Sequence, residues 1–222
     1  MSNKPPKKSD SNKAWRKPRC ERPRMISPEY HLIVTEGTKT EPHYFEGLRN
    51  EINFKYPGRI SIKIEGVGQG ANTLTLLDRA EQIVRTAVTD FKHVWLVYDK
   101  DDFPKDDFDN TYFKCIALSK DSPITYHALW SNECIEYWFL LHYIPLAAAL
   151  PRNEYYPMLS EHLRTKYEKN SNDIYNRLKP NLYAAIKNAK NIMADHGERP
   201  PSQCTPGTNV YEIFEKLQDY LK

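Results

Sequence analysis

The chain has 222 residues, of which 40% are hydrophobic and 12% aromatic, which is enough to bury a sizeable core. Its net charge is +3, and no apolar run reaches the ~20 residues that a membrane-spanning helix needs. The lysine- and proline-rich N-terminus lacks the apolar segment of a secretory signal, and the four cysteines are too scattered for a zinc motif or a disulfide framework. These features predict a cytoplasmic protein with no membrane association.

The positive charge is concentrated at the N-terminus. Residues 1–28 hold nine lysines and arginines against two acids, a net +7, so residues 29–222 carry a net −4. This segment cannot bury enough apolar surface to offset the conformational entropy that it would lose on ordering. We therefore expect residues 1–28 to form a disordered basic tail. It is either a solubilising tail or an arm that contacts phosphate or a partner protein, with Trp15 as a possible stacking residue.

Strand and helix patterns alternate through the next hundred residues. Short β-branched runs predict strands, and apolar residues at helical spacing predict the helices between them. The predicted elements are strand Tyr30–Thr35, helix Glu41–Ile52 capped by Thr40, strand Arg59–Glu65, helix Thr73–Val88, strand Val94–Tyr98, helix Phe108–Ser119 with Tyr112, Cys115, Ile116 and Ala117 inward, and strand Ile124–Trp130. This order predicts an α/β fold with a mainly parallel sheet and right-handed crossovers.

The remainder of the chain has helical periodicity. The strongest pattern is Ser131–Tyr143, which Ser131 would cap and in which Trp138 and Phe139 are expected in the core. Further helices are predicted near Glu154–Lys166, Ile174–Leu178, Leu182–Ala194 and Asn209–Leu221, the last one capped by Thr208. We therefore divide the chain into a tail (1–28), an α/β domain (29–143) and a helical C-terminal extension packed on it (144–222).

Acidic residues follow two of the predicted strands. Glu36 ends the run YHLIVTEG, and Asp99 and Asp101 follow VWLVY. Ligands of open α/β sheets bind beyond the carboxyl ends of the strands, where these carboxylates would converge. Hard cations such as Mg²⁺ take oxygen ligands, so the pattern favours a metal site, although acids at strand ends also occur as helix caps and solvated turns.

A glycine-rich stretch, GVGQGAN, follows the second predicted strand. Gly66, Gly68 and Gly70 alternate before a helix and either cradle a phosphate or form a plain connection, since neither a Walker motif nor GxGxxG is present. Lys39, beside the N-terminus of the first helix, is a second candidate for contact with phosphate or nucleic acid.

Four ordered segments carry a family resemblance: LIVTEGTKTEPHYFEGL, GVGQGANTL, VYDKDDF and SNECIEYWFLLHY. A glutamate after the first strand and a DxD after a later one resemble the Toprim domain of topoisomerases, primases and several nucleases. Together the segments resemble the RloB-like family, a Toprim-related group found among phage-defence genes. The resemblance covers about residues 32–143 and implies a Toprim-like (Rossmann-like) fold.

The resemblance also implies roles for individual residues. Glu36 would be a catalytic acid or base or a metal ligand, Asp99 and Asp101 the metal-binding pair, and Asp102 an auxiliary ligand. Glu136 would hold a second ion or act in catalysis, with Glu133 as second choice. Two weaker candidates are Lys169, which would neutralise phosphate charge, and His142, which would contact phosphate unless it is a core histidine.

The implied activity is Mg²⁺- or Mn²⁺-dependent cleavage of RNA, tRNA or DNA with one or two ions, as the effector of a bacterial or archaeal defence system. The chain has no ATP-binding motif, and the family association suggests an AAA-type ATPase as partner. The alternatives are a non-catalytic subunit that binds nucleic acid for an ATPase-containing complex, and an enzyme of small-molecule phosphotransfer.

Overall fold

The computed structural model describes residues 28–68, 73–100 and 105–222 of the chain. The five strands are β1 (Glu29–Thr35), β2 (Ile60–Gly66), β3 (Phe91–Asp99), β4 (Thr125–Asn132) and β5 (Gly207–Thr208). The eight α-helices of the described residues are α1 (Thr40–Lys55), α2 (Thr73–Thr86), α3 (Lys105–Asp121), α4 (Ile135–Leu140), α5 (Arg152–Leu163), α6 (Ile174–Leu178), α7 (Leu182–His196) and α8 (Tyr211–Lys216).

The strands form one sheet in the order β2-β1-β3-β4-β5. The first four strands are parallel, and β5 pairs with the end of β4 in the antiparallel direction. Because parallel neighbours share a direction, the carboxyl ends of β2, β1, β3 and β4 lie along one edge of the sheet. The expected α/β architecture with a mainly parallel, Rossmann-like sheet and flanking helices is confirmed.

Each face of the sheet carries its own hydrophobic core. On β3, Trp95 and Val97 face a cluster that includes residues of α1 and of the helices after β4, whereas Leu96 and Tyr98 face residues of α2 and α3. Strands buried on both faces read as continuous apolar runs, which explains why these strands could be predicted from sequence. Trp138 and Phe139 are fully buried in the first core, as expected.

The segment after β4 differs from its predicted form. β4 continues through Ser131 to Asn132, and the helix that follows runs only over Ile135–Leu140. Ser131 does not cap that helix because its backbone pairs with both neighbouring strands and its hydroxyl meets the Thr208 hydroxyl at 3.1 Å. Ser131 therefore lies in the sheet, between β3 and β5.

Three further local predictions were wrong. Thr40 donates its hydroxyl to the carbonyl of Lys169 over 3.1 Å instead of capping α1. Thr208 lies in β5, three residues before the shorter helix α8 begins. Ile116 is 41% exposed and Ala117 is also exposed, because the buried stripe of α3 follows Phe108 and Cys115 instead. Among the residues described, no helix has both the length and the apolar character needed to cross a bilayer.

Candidate active site

Two acids meet at the carboxyl ends of the central strands. Glu36 is the first residue after β1, and Asp99 is the last residue of β3. The Glu36 amide donates to the carbonyl of Val97 over 3.0 Å, and Glu36 Oε2 accepts the backbone N–H of Asp99 over 3.4 Å. Glu36 is partly buried and Asp99 is 9% exposed. The sheet thus brings two carboxylates that are distant in sequence to one place.

A third acid, Glu136, lies in the first turn of α4 and is 1% exposed. The Tyr167 hydroxyl donates to its Oε1 over 3.0 Å, and Lys169 Nζ lies 3.9 Å from the same oxygen. Burial and the Glu136 charge raise the pKa of Tyr167, so its hydroxyl keeps the proton that it donates. A buried carboxylate needs such partners because leaving it unpaired is costly.

Lys169 is held beside Glu136 but is open to solvent. Burial lowers the pKa of Lys169, but its hydrogen bond to Tyr156 and the charge of Glu136 outweigh burial and raise that pKa above its usual value. The Lys169 ammonium also lies 5.3 Å from the centre of the Tyr156 ring. Its side chain is 53% exposed, against 2% for Glu136. Lys169 therefore presents a permanent positive charge at the surface of the acidic group.

Cys134 shows that these acids share one neighbourhood. Its pKa is raised by burial first, and then by the charges of Glu136 and Asp99. The thiol is 3% exposed and hydrogen-bonds to Glu136. Cys134 immediately precedes α4, so the start of this helix lies within electrostatic reach of the β3 end.

Glu41 is a further acid at this edge, and sequence reasoning missed it. It lies in the first turn of α1 and is 8% exposed. A Cβ built on Gly37 would come within 2.3 Å of Glu41 Oε2, so the carboxylate rests against the Gly37 backbone. Acidic residues are common in the first turn of a helix because they interact favourably with the helix dipole. The sequence alone therefore gave no reason to assign Glu41 to a functional site.

The glycine loop closes over the same turn. Val67 and Gly68 donate their amides to the carbonyls of Thr35 and Glu36 over 3.0 and 3.1 Å. A Cβ on Gly66 would lie 3.1 Å from the Gly37 carbonyl oxygen. The loop after β2 therefore packs on the loop after β1, next to the acids. Lys39 is exposed at the N-terminus of α1.

Several predicted site residues lie elsewhere. Asp101, Asp102 and Gly70 fall outside the described residues. Glu133 Oε2 accepts the Arg152 amide over 3.2 Å, so it satisfies a backbone N–H at the N-terminus of α5. His142 is 2% exposed, its Nδ1 lies 3.0 Å from the carbonyl of Trp138, and burial lowers its pKa to about 4. His142 is therefore a neutral histidine in the protein interior.

The donor set at the strand ends fits a hard divalent cation. Glu36, Asp99 and Glu136 offer carboxylate oxygens, the ligands that Mg²⁺ and Mn²⁺ prefer, and Mg²⁺ sites commonly use only one or two protein carboxylates. Glu36 and Asp99 are the two best placed to hold the ion, because a backbone hydrogen bond fixes them at adjacent strand ends.

A second group with metal-binding spacing lies at the opposite edge of the sheet. Ligand atoms of Glu29, His31 and His93 all lie within 4.8 Å of one another. Glu29 Oε1 is 3.2 Å from His31 Nε2 and 3.1 Å from His93 Nε2. In the described part of the chain this is a possible metal-binding triad of histidine and carboxylate, and the type of ion is not identified.

Hydrogen-bond direction bears on how this triad works. The Trp95 indole, which can only donate, lies 3.1 Å from His31 Nδ1. His31 must therefore carry its proton on Nε2 and donate it to Glu29, which leaves Nε2 no lone pair for a metal. His93 likewise donates through Nε2, and its Nδ1 lies 3.0 Å from Nε2 of His127. As it stands, the cluster is a closed network of neutral histidines.

Sequence reasoning missed this cluster because its members are far apart in the chain. The parallel register places His31 beside His93 and Trp95 beside His127. Two histidines that precede apolar runs, HLIV and HVWLV, are the signal that was available in the sequence. Their meaning depends on the strand register, which local patterns do not reveal.

The comparisons with known proteins agree with the sequence resemblance. The family model of the RloB-like proteins matches residues 31–217, from the middle of β1 to the end of α8. Searches of curated proteins and of solved structures found no match to the chain. The match covers both the acidic strand ends and the loop between α5 and α6 that carries Tyr167 and Lys169, and the chain belongs to the RloB-like protein family.

Proposed function

We propose that this protein is a metal-dependent nuclease that hydrolyses phosphodiester bonds and acts in phage defence. The observation that carries the proposal is the convergence of Glu36 and Asp99 at the strand ends. Acids gathered at the carboxyl edge of a parallel sheet are suited to a hard cation and to a phosphate ligand.

Glu36 and Asp99 would hold Mg²⁺ or Mn²⁺, and Asp101 would follow as a further ligand. When bound, such an ion lowers the pKa of a water molecule and neutralises charge on the scissile phosphate. Glu36 is also placed to accept the proton of the attacking water, because it is less enclosed than Asp99 and lies at the loop junction where a substrate can enter. No covalent enzyme intermediate is required.

Lys169 is the residue that we assign to the phosphate. Its ammonium is exposed and keeps its proton because Tyr156 and Glu136 stabilise the charged form. A preorganised cation lowers the barrier where negative charge develops on phosphate oxygens. Glu136 is almost fully enclosed, so it acts through Lys169 as a positioning residue, with Tyr167 fixing its orientation.

Backbone N–H groups complete the phosphate environment. The loop after β2 packs on the turn that leads into α1, next to Glu36. The first amides of α1 have no partner within the helix, and the helix dipole favours an anion there. Exposed Lys39 adds a positive charge at the same end.

Family membership supports a proposal for the substrate class and the partner. RloB-like proteins are associated with phage defence and with AAA-type ATPases, so we propose RNA, tRNA or DNA as substrate and an ATPase as activator. The separation of a basic N-terminal segment from an acidic body favours a polyanionic substrate, which the +7 charge of residues 1–28 would attract.

The decisive experiment is cleavage of labelled tRNA, single-stranded RNA and plasmid DNA in the presence of Mg²⁺, Mn²⁺ or EDTA. Wild type is compared with Glu36→Gln and with Glu65→Gln, an acid at the end of β2 that is paired with Arg79. We expect one substrate to be cut with metal, loss of cutting in Glu36→Gln, and retention in Glu65→Gln. Equal cutting by Glu36→Gln and wild type would refute the site.

A further inference from the structure

Lys169 lies in a connection that has no regular secondary structure. Residues 164–173 form this loop and join α5 to α6. Side chains on loops are placed less precisely than those on helices or strands, and a group that acts in a site must be held by the residues around it. The position of Lys169 therefore depends on the contacts that fix its loop.

Both ends of this loop are anchored. Near its start, the Tyr167 amide donates to the Ser160 hydroxyl of α5 over 2.9 Å. Beyond its end, α6 packs closely on α1, because a Cβ built on Gly47 would come within 2.4 Å of the Tyr175 Cβ. The Tyr175 hydroxyl also donates to Glu51 of α1 over 2.9 Å. The loop is thus held by α5 at one end and by α1 at the other.

Thr40 makes the contact at Lys169 itself. The Thr40 hydroxyl donates to the Lys169 carbonyl over 3.1 Å, although the two residues are 129 positions apart. Thr40 is 9% exposed, so this hydrogen bond is largely shielded from water. Thr40 begins α1 and lies four residues after Glu36. One hydroxyl therefore joins the loop that carries Lys169 to the turn that carries Glu36.

The contacts of the Lys169 side chain come from other elements. Its ammonium lies 3.9 Å from Glu136 Oε1 of α4 and hydrogen-bonds to Tyr156 of α5. These two contacts direct the ammonium, whereas the Thr40 hydroxyl fixes the backbone from which the side chain extends. A lysine ammonium sits on a flexible four-carbon stem, so its placement depends on both ends of that stem.

We infer that Thr40 is a positioning residue, which holds Lys169 beside the Glu36 turn for contact with a phosphate. This role rests on the proposed function, which assigns the phosphate contact to Lys169, and adds how that cation is set against the acids. Without the hydrogen bond, the loop loses its link to α1 at Lys169. A displacement of about 1 Å, caused by a change away from the reacting atoms, can cost a hundredfold in rate.

The test compares two substitutions of Thr40. Thr40→Val keeps the shape of the side chain but removes the hydroxyl, and Thr40→Ser keeps a hydroxyl. Thr111→Val is the matched control, because Thr111 is fully buried on α3 and its hydroxyl donates to the carbonyl of Asp107 in the same helix over 2.9 Å. Thermal melts show that each variant is folded.

Cleavage kinetics are measured with Mg²⁺ or Mn²⁺ on the nucleic acid that the wild type cuts. We expect Thr40→Val to lower kcat about ten- to hundredfold with little change in KM, because the substrate still binds but the cation is misplaced. Thr40→Ser should restore most of the rate, and Thr111→Val should match the wild type. A wild-type kcat in Thr40→Val would overturn the inference.

A kinetic double-mutant cycle separates positioning from a general effect on the fold. Lys169→Met keeps a long side chain but has no charge. If Thr40 acts through Lys169, Thr40→Val should lower kcat little further in the Lys169→Met background. A full additional loss in that background would show that Thr40 acts elsewhere, and the inference would fail.

Amide hydrogen exchange tests the same contact without substrate or metal. We expect faster exchange of residues 164–173 in Thr40→Val than in Thr111→Val, with the exchange of β1 and β3 as in the wild type. Equal exchange of the loop in the two variants would overturn the inference. Because this measurement requires no cleavage, it remains decisive if the wild type cuts no nucleic acid, an outcome that would count against the proposed function alone.

Discussion

Glu36 Oε2 and the Asp99 backbone amide form a 3.4 Å hydrogen bond that joins the ends of two adjacent parallel strands. The residues are 63 positions apart in the chain, and the sheet order places β1 directly beside β3. Because the carboxylate of one acid is bound to the backbone of the other, the two residues are held side by side before any cation binds. Preorganisation of this kind lowers the cost of assembling a metal site.

Asp99→Asn should abolish metal-dependent cleavage while leaving the fold intact, because the amide keeps the shape but loses the charge that an ion needs. Asp90→Asn is the matched control, since Asp90 directly precedes the opposite end of β3 and is 76% exposed. We expect at least a hundredfold loss for Asp99→Asn, in the range seen when an electrostatic contact is removed from an active site, and none for Asp90→Asn. Similar rates for the two variants would rule out Asp99 as a ligand.

Tyr167→Phe should lower stability by about 1–3 kcal/mol, the usual cost when a buried polar group loses its partner. Glu136 is 1% exposed, and the Tyr167 hydroxyl is one of its donors. Denaturant unfolding of Tyr167→Phe, Glu136→Gln and the double variant would measure the coupling between the two side chains. We expect the double variant to be less destabilised than the sum of the single variants.

The same variant separates a positioning role from a purely structural one. If Glu136 orients Lys169, Tyr167→Phe should reduce kcat for nucleic-acid cleavage with little change in KM. A rate equal to that of wild type, alongside the expected loss of stability, would show that the Glu136 group is structural.

Stability should fall as the pH is lowered from about 6.5 toward 4. Burial lowers the pKa of His31 to about 4 and that of His127 to about 3, so both are neutral in the folded protein at pH 6.5. The unfolded chain binds protons below its ordinary histidine pKa of ~6.5, and this proton uptake favours unfolding by up to ~1.4 kcal/mol per pH unit for each histidine. Glu29 and Lys216 face the same cluster.

His127→Gln should make this loss shallower, as followed by thermal melts between pH 4 and 7. His162→Gln serves as the control, because His162 stacks on Tyr143 away from the cluster. Parallel melting profiles for the His127 variant and wild type would contradict the assignment of His127 as a histidine that is neutral in the folded state.

Trp95→Phe should increase the affinity of the histidine cluster for Zn²⁺. Without the indole donor, His31 can carry its proton on Nδ1, and Nε2 becomes available as a ligand. The variant loses core volume and should be less stable by about 1–3 kcal/mol, but added Zn²⁺ should raise its melting temperature more than that of wild type. Adding His93→Gln should remove the gain, and equal zinc shifts in Trp95→Phe and wild type would refute the tautomer assignment.

Structural features that depend on local sequence patterns were predicted well. The apolar runs that became β1 and β3 end in Glu36 and Asp99, and parallel packing alone brings such ends together. Ile116 was misplaced because a half-exposed helix has more than one apolar stripe, and only packing selects which of them is buried. The histidine cluster and Glu41 depend on strand register and on backbone contacts that no short window contains.

β5 was missed for a related reason. A two-residue strand has no periodicity of its own, and Gly207 and Thr208 pair with β4 only because the chain returns to that edge after α7. This pairing and the pairing with β3 keep Ser131 in the sheet, and α4 begins only at Ile135. Long-range pairing of this kind overrides a helix pattern that is locally strong.

The core on one face of the sheet is built from both halves of the chain. Phe214 of α8 stacks on Trp138 of α4 at 5.6 Å, and the Trp138 indole donates to the Tyr44 hydroxyl of α1 over 2.8 Å. Cutting the chain after residue 143 to obtain a minimal strand-end fragment would strip this face and remove Tyr167 and Lys169 as well. The acidic site therefore cannot be transferred to another protein as residues 29–143 alone. Recombination between related genes would preserve it only where both halves are inherited together.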